Sequence, residues 1–180
     1  MKKLIFAVFF ITSVFGLSAY GQNDTPLVSK EGGFSFIPPA GFGKFQFSKQ
    51  TDSAEAGGKT HYDYEESLDR GYMLISYFDL GVNLVDSARI QKVLDGGRDG
   101  AVRGSSATLD SQENITVDGF PALSFIIHAT DKDKITSYAR TVEIVAGSKM
   151  YSFLLVTPTA PDLTKPDVQK FFSSIHIQKQ

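Results

Sequence analysis

The sequence predicts an α+β protein, an antiparallel β-sheet of about five to seven strands packed by two helices. Three observations carry that prediction. Through the middle of the chain apolar residues alternate with period two, and several of these runs are apolar on both faces. Short polar turns join the runs as antiparallel neighbours, and two stretches repeat their apolar residues at helical spacing instead. A sheet that is apolar on both faces needs cover on both. The two helices supply it, which predicts a sandwich with the sheet in the middle, an α/β/α arrangement.

In chain order, the first residues give an address. Lys2 and Lys3 precede an apolar run from Leu4 to Leu17 and then the small-residue segment "SAYGQ". This is the pattern of a secretory signal peptide over residues 1–21, with the cut expected between Gly21 and Gln22. The run is shorter than the roughly 20 apolar residues of a spanning helix, so no membrane insertion is expected once the leader is gone. The expected location is periplasmic or secreted. Residues 22–180 then form a single domain, since no repeat, low-complexity tract or composition break divides them.

"FSFIPPAGFGKFQF" alternates Phe34 with Phe36 and later Phe45 with Phe47, and Pro38-Pro39 between them cannot sit in a central ladder. It reads as strand, turn and strand. "THYDYEE" follows as a further edge strand that presents Tyr62 and Tyr64 on one side. "GYMLISYFDL" carries Tyr72, Leu74 and Phe78 on one face and Met73, Ile75 and Tyr77 on the other, which predicts a central strand over 71–78. Next comes a helix near 84–102. Asn83 is placed to cap it, Asp86 lies in its opening turn, and Ile90, Val93, Leu94, Gly97 and Ala101 form one face. Gly96, Gly97 and Gly100 each cost roughly 1 kcal/mol in a helix interior, so this helix must dock, and Gly97 is the residue through which it packs.

Asp118-Gly119 is a two-residue hairpin signal between "NITV" and "FPALSF". The second of these continues as a central strand over 120–128, with Leu123, Phe125 and Ile127 opposite Ala122, Ile126 and His128. "TDKDK" and "AGSK" turn the chain twice more. Between them "ITSYARTVEIV" sets Tyr138, Arg140, Val142 and Ile144 on one face against Ser137, Ala139, Thr141 and Glu143 on the other. The small, polar face predicts a strand nearer an edge. Finally Thr164 and Asp167 stand at capping-box spacing, with Pro166 in the first turn, and Val168, Phe171, Phe172 and Ile175 form an apolar stripe, predicting a short helix over 165–173.

Composition narrows the chemistry. The chain has zero cysteines, which removes thiol catalysis, cysteine metal sites and a lipid-anchored form. The net charge is −2, and neither sign gathers into a block, so no nucleic-acid partner is expected. No G-x-S-x-G elbow, phosphate loop, dinucleotide fingerprint or H-E-x-x-H is present. His61, His128 and His176 stand far apart, and "DGGRDG", which resembles an anion loop, interrupts a helical period rather than preceding one. "DKDKI" lacks the Gly and the distant Glu of a calcium loop, and Asn114 in "ENIT" fits the glycosylation pattern within a predicted strand. No catalytic residue, cofactor or metal is therefore assigned. The candidates for an interaction surface are Tyr62 and Tyr64 on the strand at 60–66, and Tyr138 and Arg140, whose arginine is expected to lie over aromatic or aliphatic surface.

The segments "SFIPPAGF", "IQKVLDGGRDGAV", "ENITVDGFPALSF", "YARTVEIVAGSKMYSFLLVTP" and "DVQKFFSSIHI", in this order, resemble the PsbP-like domains over nearly all of residues 22–180. That superfamily includes the extrinsic photosystem subunit, a Ran-binding import factor and short exported bacterial proteins of the DcrB-like kind. The resemblance implies the fold and a mode of action by docking to partners. It carries over neither the photosystem nor the Ran-binding activity. Two function classes follow: an exported, non-catalytic binding or assembly factor of the cell envelope, working on an envelope protein or small ligand, or else a small-ligand carrier or hydrolase whose site is assembled from distant residues. The absence of chemistry-bearing motifs favours the first.

Overall fold

The computed structural model describes residues 25–51, 59–69 and 71–179; the expected leader, residues 1–21, lies outside them. Two short strands, β1 (Leu27–Ser29) and β2 (Phe34–Phe36), open the chain, followed by β3 (Gln46–Thr51), β4 (Thr60–Leu68) and β5 (Gly71–Asp79). The helix α1 (Ser87–Gly104) leads into four long strands, β6 (Thr108–Val117), β7 (Phe120–Thr130), β8 (Thr136–Ala146) and β9 (Lys149–Thr157). A 3₁₀ turn (Ala160–Thr164), α2 (Pro166–Ser173) and β10 (His176–Ile177) complete it. The main sheet is antiparallel with seven strands in the order β3-β4-β5-β9-β8-β7-β6, and β1, β2 and β10 make a small second sheet. The expected antiparallel sheet with two helices is present.

The β6–β7 turn shows why the chain reverses where it does. Asp118 and Gly119 take φ of 52° and 85°, the left-handed pair that a two-residue hairpin requires and that Gly tolerates at no steric cost. Across the sheet the two-residue period then sorts side chains into two cores. One face collects Met73, Ile75, Tyr77, Val142, Ile144, Tyr151, Phe153 and Leu155 and is covered by the small sheet and α2, which add Phe34, Phe36, Phe171 and Phe172. Phe34 and Phe36 are fully buried and meet Phe153 edge-on at 5.5 and 5.9 Å, while Phe36 meets Phe171 at 5.5 Å. The other face collects Leu123, Phe125, Ile127, Ala139, Val145 and Met150 beneath Ile90 and Leu94 of α1, which lies on β7 and β8.

Five local expectations are corrected. Asp86, not Asn83, caps α1, accepting the Arg89 amide at 2.8 Å; the extended Asp86 backbone starts the helix three residues later than the apolar pattern suggests. No capping box closes α2: Thr164 donates to the Pro161 carbonyl at 2.8 Å within the preceding 3₁₀ turn, and Asp167 accepts the Ala40 amide at 3.1 Å, tying α2 to the loop after β2. β4 is not an edge strand, because β3 pairs outside it. Nor does β8 lie near an edge: it runs between β9 and β7, its small polar face being the one on which α1 rests. β7, expected to be central, is the strand next to the β6 edge.

Candidate functional site

Tyr62, Tyr64, Tyr138 and Arg140 all lie on the aromatic-core side of the sheet, but they do not meet. Two strands, β5 and β9, separate β4 from β8, and three strand spacings put roughly 14 Å between the pairs. Tyr62 stacks on Tyr77 at 4.8 Å and 9°, with Lys49 over its ring. Tyr64 stands edge-on to Phe34 and shares a 3.0 Å hydrogen bond with Ser29 Oγ. Both tyrosines therefore close the end of the core. Tyr138 lies beside His128, with ring centroids 5.8 Å apart.

Arg140 is different. Its guanidinium carbon sits 4.3 Å over the centre of the Phe172 ring, and Nη1 donates to Gln169 Oε1 at 3.1 Å. Gln169 is itself held, because its Nε2 donates to the Leu163 carbonyl at 2.9 Å. Burial pulls the guanidinium below the usual arginine value, and Glu113 of β6 acts in the opposite sense. Among the described residues no carboxylate forms an ion pair with Arg140. The surroundings form a groove of about 360 Å³ between the β6–β8 end of the sheet and α2, walled by Ile115, Val117, Val142, Phe172 and Ile175. Sequence reading placed Arg140 over apolar surface correctly but missed Phe172 and Gln169, which arrive from a helix about thirty positions away with no local signal.

Several other titratable side chains have fixed partners. Arg98 of "DGGRDG" bonds Asp95 at 2.9 Å and Asp99 at 2.8 Å, and also donates to Gln112 of β6, so it fastens α1 to the sheet edge. His128 Nδ1 lies 2.7 Å from Asp110, and His176 Nδ1 lies 2.9 Å from Asp118, which also accepts the Ile177 amide at 2.7 Å. Glu66 accepts the Gly43 and Lys44 amides at 2.6 and 2.8 Å. Among the described residues no three His, Cys, Asp or Glu side chains gather as a metal site. A larger recess of about 500 Å³ opens at the turn end of the sheet, beside Asn83 and Lys179. Two of its polar groups are already committed, the Tyr151 hydroxyl to the Gly32 carbonyl at 2.8 Å and Asp118 to β10.

The sequence reading does not single out one buried carboxyl. Glu143 of β8 is 5% exposed beneath α1, and its Oε2 has no hydrogen-bond partner among the described residues. A Cβ on Gly97 would stand 2.6 Å from Glu143 Oε1 and 2.7 Å from its Cδ, so the missing side chain is what lets the helix lie on the carboxyl. The expectation that α1 packs through Gly97 thus finds its contact. Burial pushes the Glu143 carboxyl up to about 8, with Arg98 opposing. The signal that points to it is a Glu inside the apolar run "TVEIV" combined with paired glycines in a helix.

No protein-family model and no curated protein matches the chain. Among solved structures it is similar to a crystal structure from Bacteroides thetaiotaomicron, with 10% identity and a TM-score of 0.45, over 86% of this chain and 48% of that one. The chain thus spans about half the length of that neighbour. A likeness at this level carries no argument about fold family or activity. No helix of the described residues is long and apolar enough to cross a membrane.

Proposed function

We propose that this protein is an exported, non-catalytic binding or assembly factor of the cell envelope, a PsbP-like α/β/α sandwich that works by docking to an envelope partner. The observation that carries the proposal is the contrast between Arg140 and the other charged groups. Arg98, Glu66, His128 and His176 are engaged in contacts within the fold. Arg140 instead offers a cation in a groove of mixed apolar and polar lining, where the one lining carboxylate, Asp118, is engaged by His176 and the Ile177 amide, which is the make-up of a recognition surface rather than of a reacting centre. Export rests on the leader pattern of residues 1–21.

Two measurements test this reading together. Intact-mass analysis after cell fractionation is expected to find an envelope protein beginning at Gln22. A photo-crosslinking amino acid placed at Ser173, beside the groove, is expected to trap an envelope protein, whereas the same group at exposed Arg103 on α1 traps none. A cytoplasmic protein that retains residues 1–21, or equal crosslinking from both positions, overturns the reading.

A further inference from the structure

We infer that the groove between α2 and the β6–β8 end of the sheet receives a peptide segment of the partner in which an Asp or Glu side chain, flanked by apolar residues, pairs with Arg140. This rests on the docking function proposed above and names the chemistry of its contact.

Three features point to that ligand. The first is donor supply. A guanidinium carries five N–H groups in a planar fork that matches a carboxylate, and the structure commits one of them, to Gln169. The fork is fixed before any ligand arrives, because Phe172 supports its face at 4.3 Å and the Gln169 side chain is anchored to Leu163. Pre-organisation of this kind lowers the ordering cost of forming the pair. The second feature is charge. The neighbouring acids are occupied or distant: Asp118, at the mouth of the groove, is held by His176 and the Ile177 amide, while Glu113 influences Arg140 across β7 without an ion pair. A half-buried cation beside an apolar wall is thus left for an incoming anion to neutralise, and such a pair is stronger there than in open water.

The third feature is shape. Ile115, Val117, Val142, Phe172 and Ile175 give the groove aliphatic and aromatic walls, with Thr116, Asp118, Gln169 and Ser173 as polar rim, so a bare inorganic anion of a few atoms would leave most of its volume unfilled. About 360 Å³ holds a carboxylate side chain with one or two apolar neighbours. Ile115, Thr116 and Val117 also belong to β6, the outermost strand of the main sheet, so an extended segment can pass over the groove and continue along that edge.

The test is a titration of the purified protein, followed by NMR through the Arg140 side-chain N–H and the Ile115 methyl signals, with two capped peptides, acetyl-Leu-Glu-Phe-amide and acetyl-Leu-Gln-Phe-amide. The expected result is saturable movement of both signals, with affinity about tenfold weaker for the Gln peptide, and the same loss for the Glu peptide on Arg140→Gln. Glu113→Gln, which removes the acid that shares the field of Arg140, is expected to tighten the Glu peptide severalfold. Thermal melts of both variants check that the fold is kept; if Arg140→Gln does not fold, the Glu113→Gln comparison decides. Equal affinities for the two peptides, or no tightening on Glu113→Gln, overturn the inference. So does binding of octanoate, but of neither peptide, that depends on Arg140, since that result assigns the groove to a small ligand. An envelope partner that crosslinks at Ser173 equally well in wild type and Arg140→Gln overturns this contact while leaving the docking function standing.

Discussion

Each face of the main sheet buries one polar atom that no partner satisfies among the described residues: the Tyr77 hydroxyl on the aromatic side, and Glu143 Oε2 under α1. The aromatic side closes over its orphan with rings, Tyr62 stacked on one side of Tyr77 and Tyr151 at 6.0 Å on another. The helix side closes over its orphan by leaving out a side chain, at Gly97. Both burials disfavour ionisation, and both push the group's pKa up. The difference is where that leaves them. A phenol stays neutral across the physiological range, whereas a carboxyl pushed up to about 8 changes charge near neutrality. The Tyr77 orphan is therefore indifferent to pH and the Glu143 orphan is not.

The largest expected effect tests that contrast directly. Because the folded state holds the Glu143 proton more tightly than the unfolded chain does, its stabilising contribution is complete below the ordinary carboxyl value of 4.5 and is lost as pH rises through about 8. Between those limits the loss reaches roughly 3 kcal/mol by pH 7, at about 1.4 kcal/mol per pH unit. Glu143→Gln removes the slope. Urea melts at pH 5 and pH 8.5 are expected to show a falling stability in wild type and a nearly flat one in the variant; parallel curves refute the assignment.

A smaller effect lies at the contact itself. Gly97→Ala is expected to destabilise by about 1–3 kcal/mol, because overpacking against a buried carboxyl outweighs the roughly 1 kcal/mol that Ala gains over Gly in a helix. In a Glu143→Ala background the crowding is gone, and the same substitution is expected to stabilise. A double-mutant cycle measured by denaturant unfolding reads the change of sign; a cost that persists unchanged in that background places the clash elsewhere. The smallest effect is on the aromatic face. Tyr77→Phe deletes a hydroxyl that makes no bond and leaves the ring stack in place, so stability is expected to stay level or rise by up to about 1 kcal/mol, equally at both pH values. A loss above that range would show that the hydroxyl has a partner.

The same two faces separate what was legible in the sequence from what was not. Strands such as 71–78 announce themselves by apolar residues on both sides, and Asp118-Gly119 announces its turn by the backbone angles it alone tolerates easily. The alternation of β8 was equally readable, yet its place near an edge was misjudged, because a small polar face looks the same whether it meets water or a helix. Asn83 and Thr164 had the chemistry of caps, but a cap is decided by the local backbone, and Asp86 and Lys165 hold those positions. For the candidate site, the pattern showed which face Arg140 occupies. That Phe172 lies beneath it depends on how the chain returns after β9, and no periodicity within either segment encodes that return.

The small sheet has a consequence for the order of events when the chain folds. It pairs His176 with Ser35 and Ile177 with Phe34, so the strand that begins the aromatic core is completed by one made some 140 positions later. The four hairpin-linked strands β6 to β9 and α1 can assemble from near neighbours at little loop-closure cost. Phe34 and Phe36, by contrast, have no lasting cover until α2 and β10 exist. A nascent chain thus carries Phe34 and Phe36 uncovered until residues 166–177 arrive, which is the interval in which a holding chaperone has something to bind.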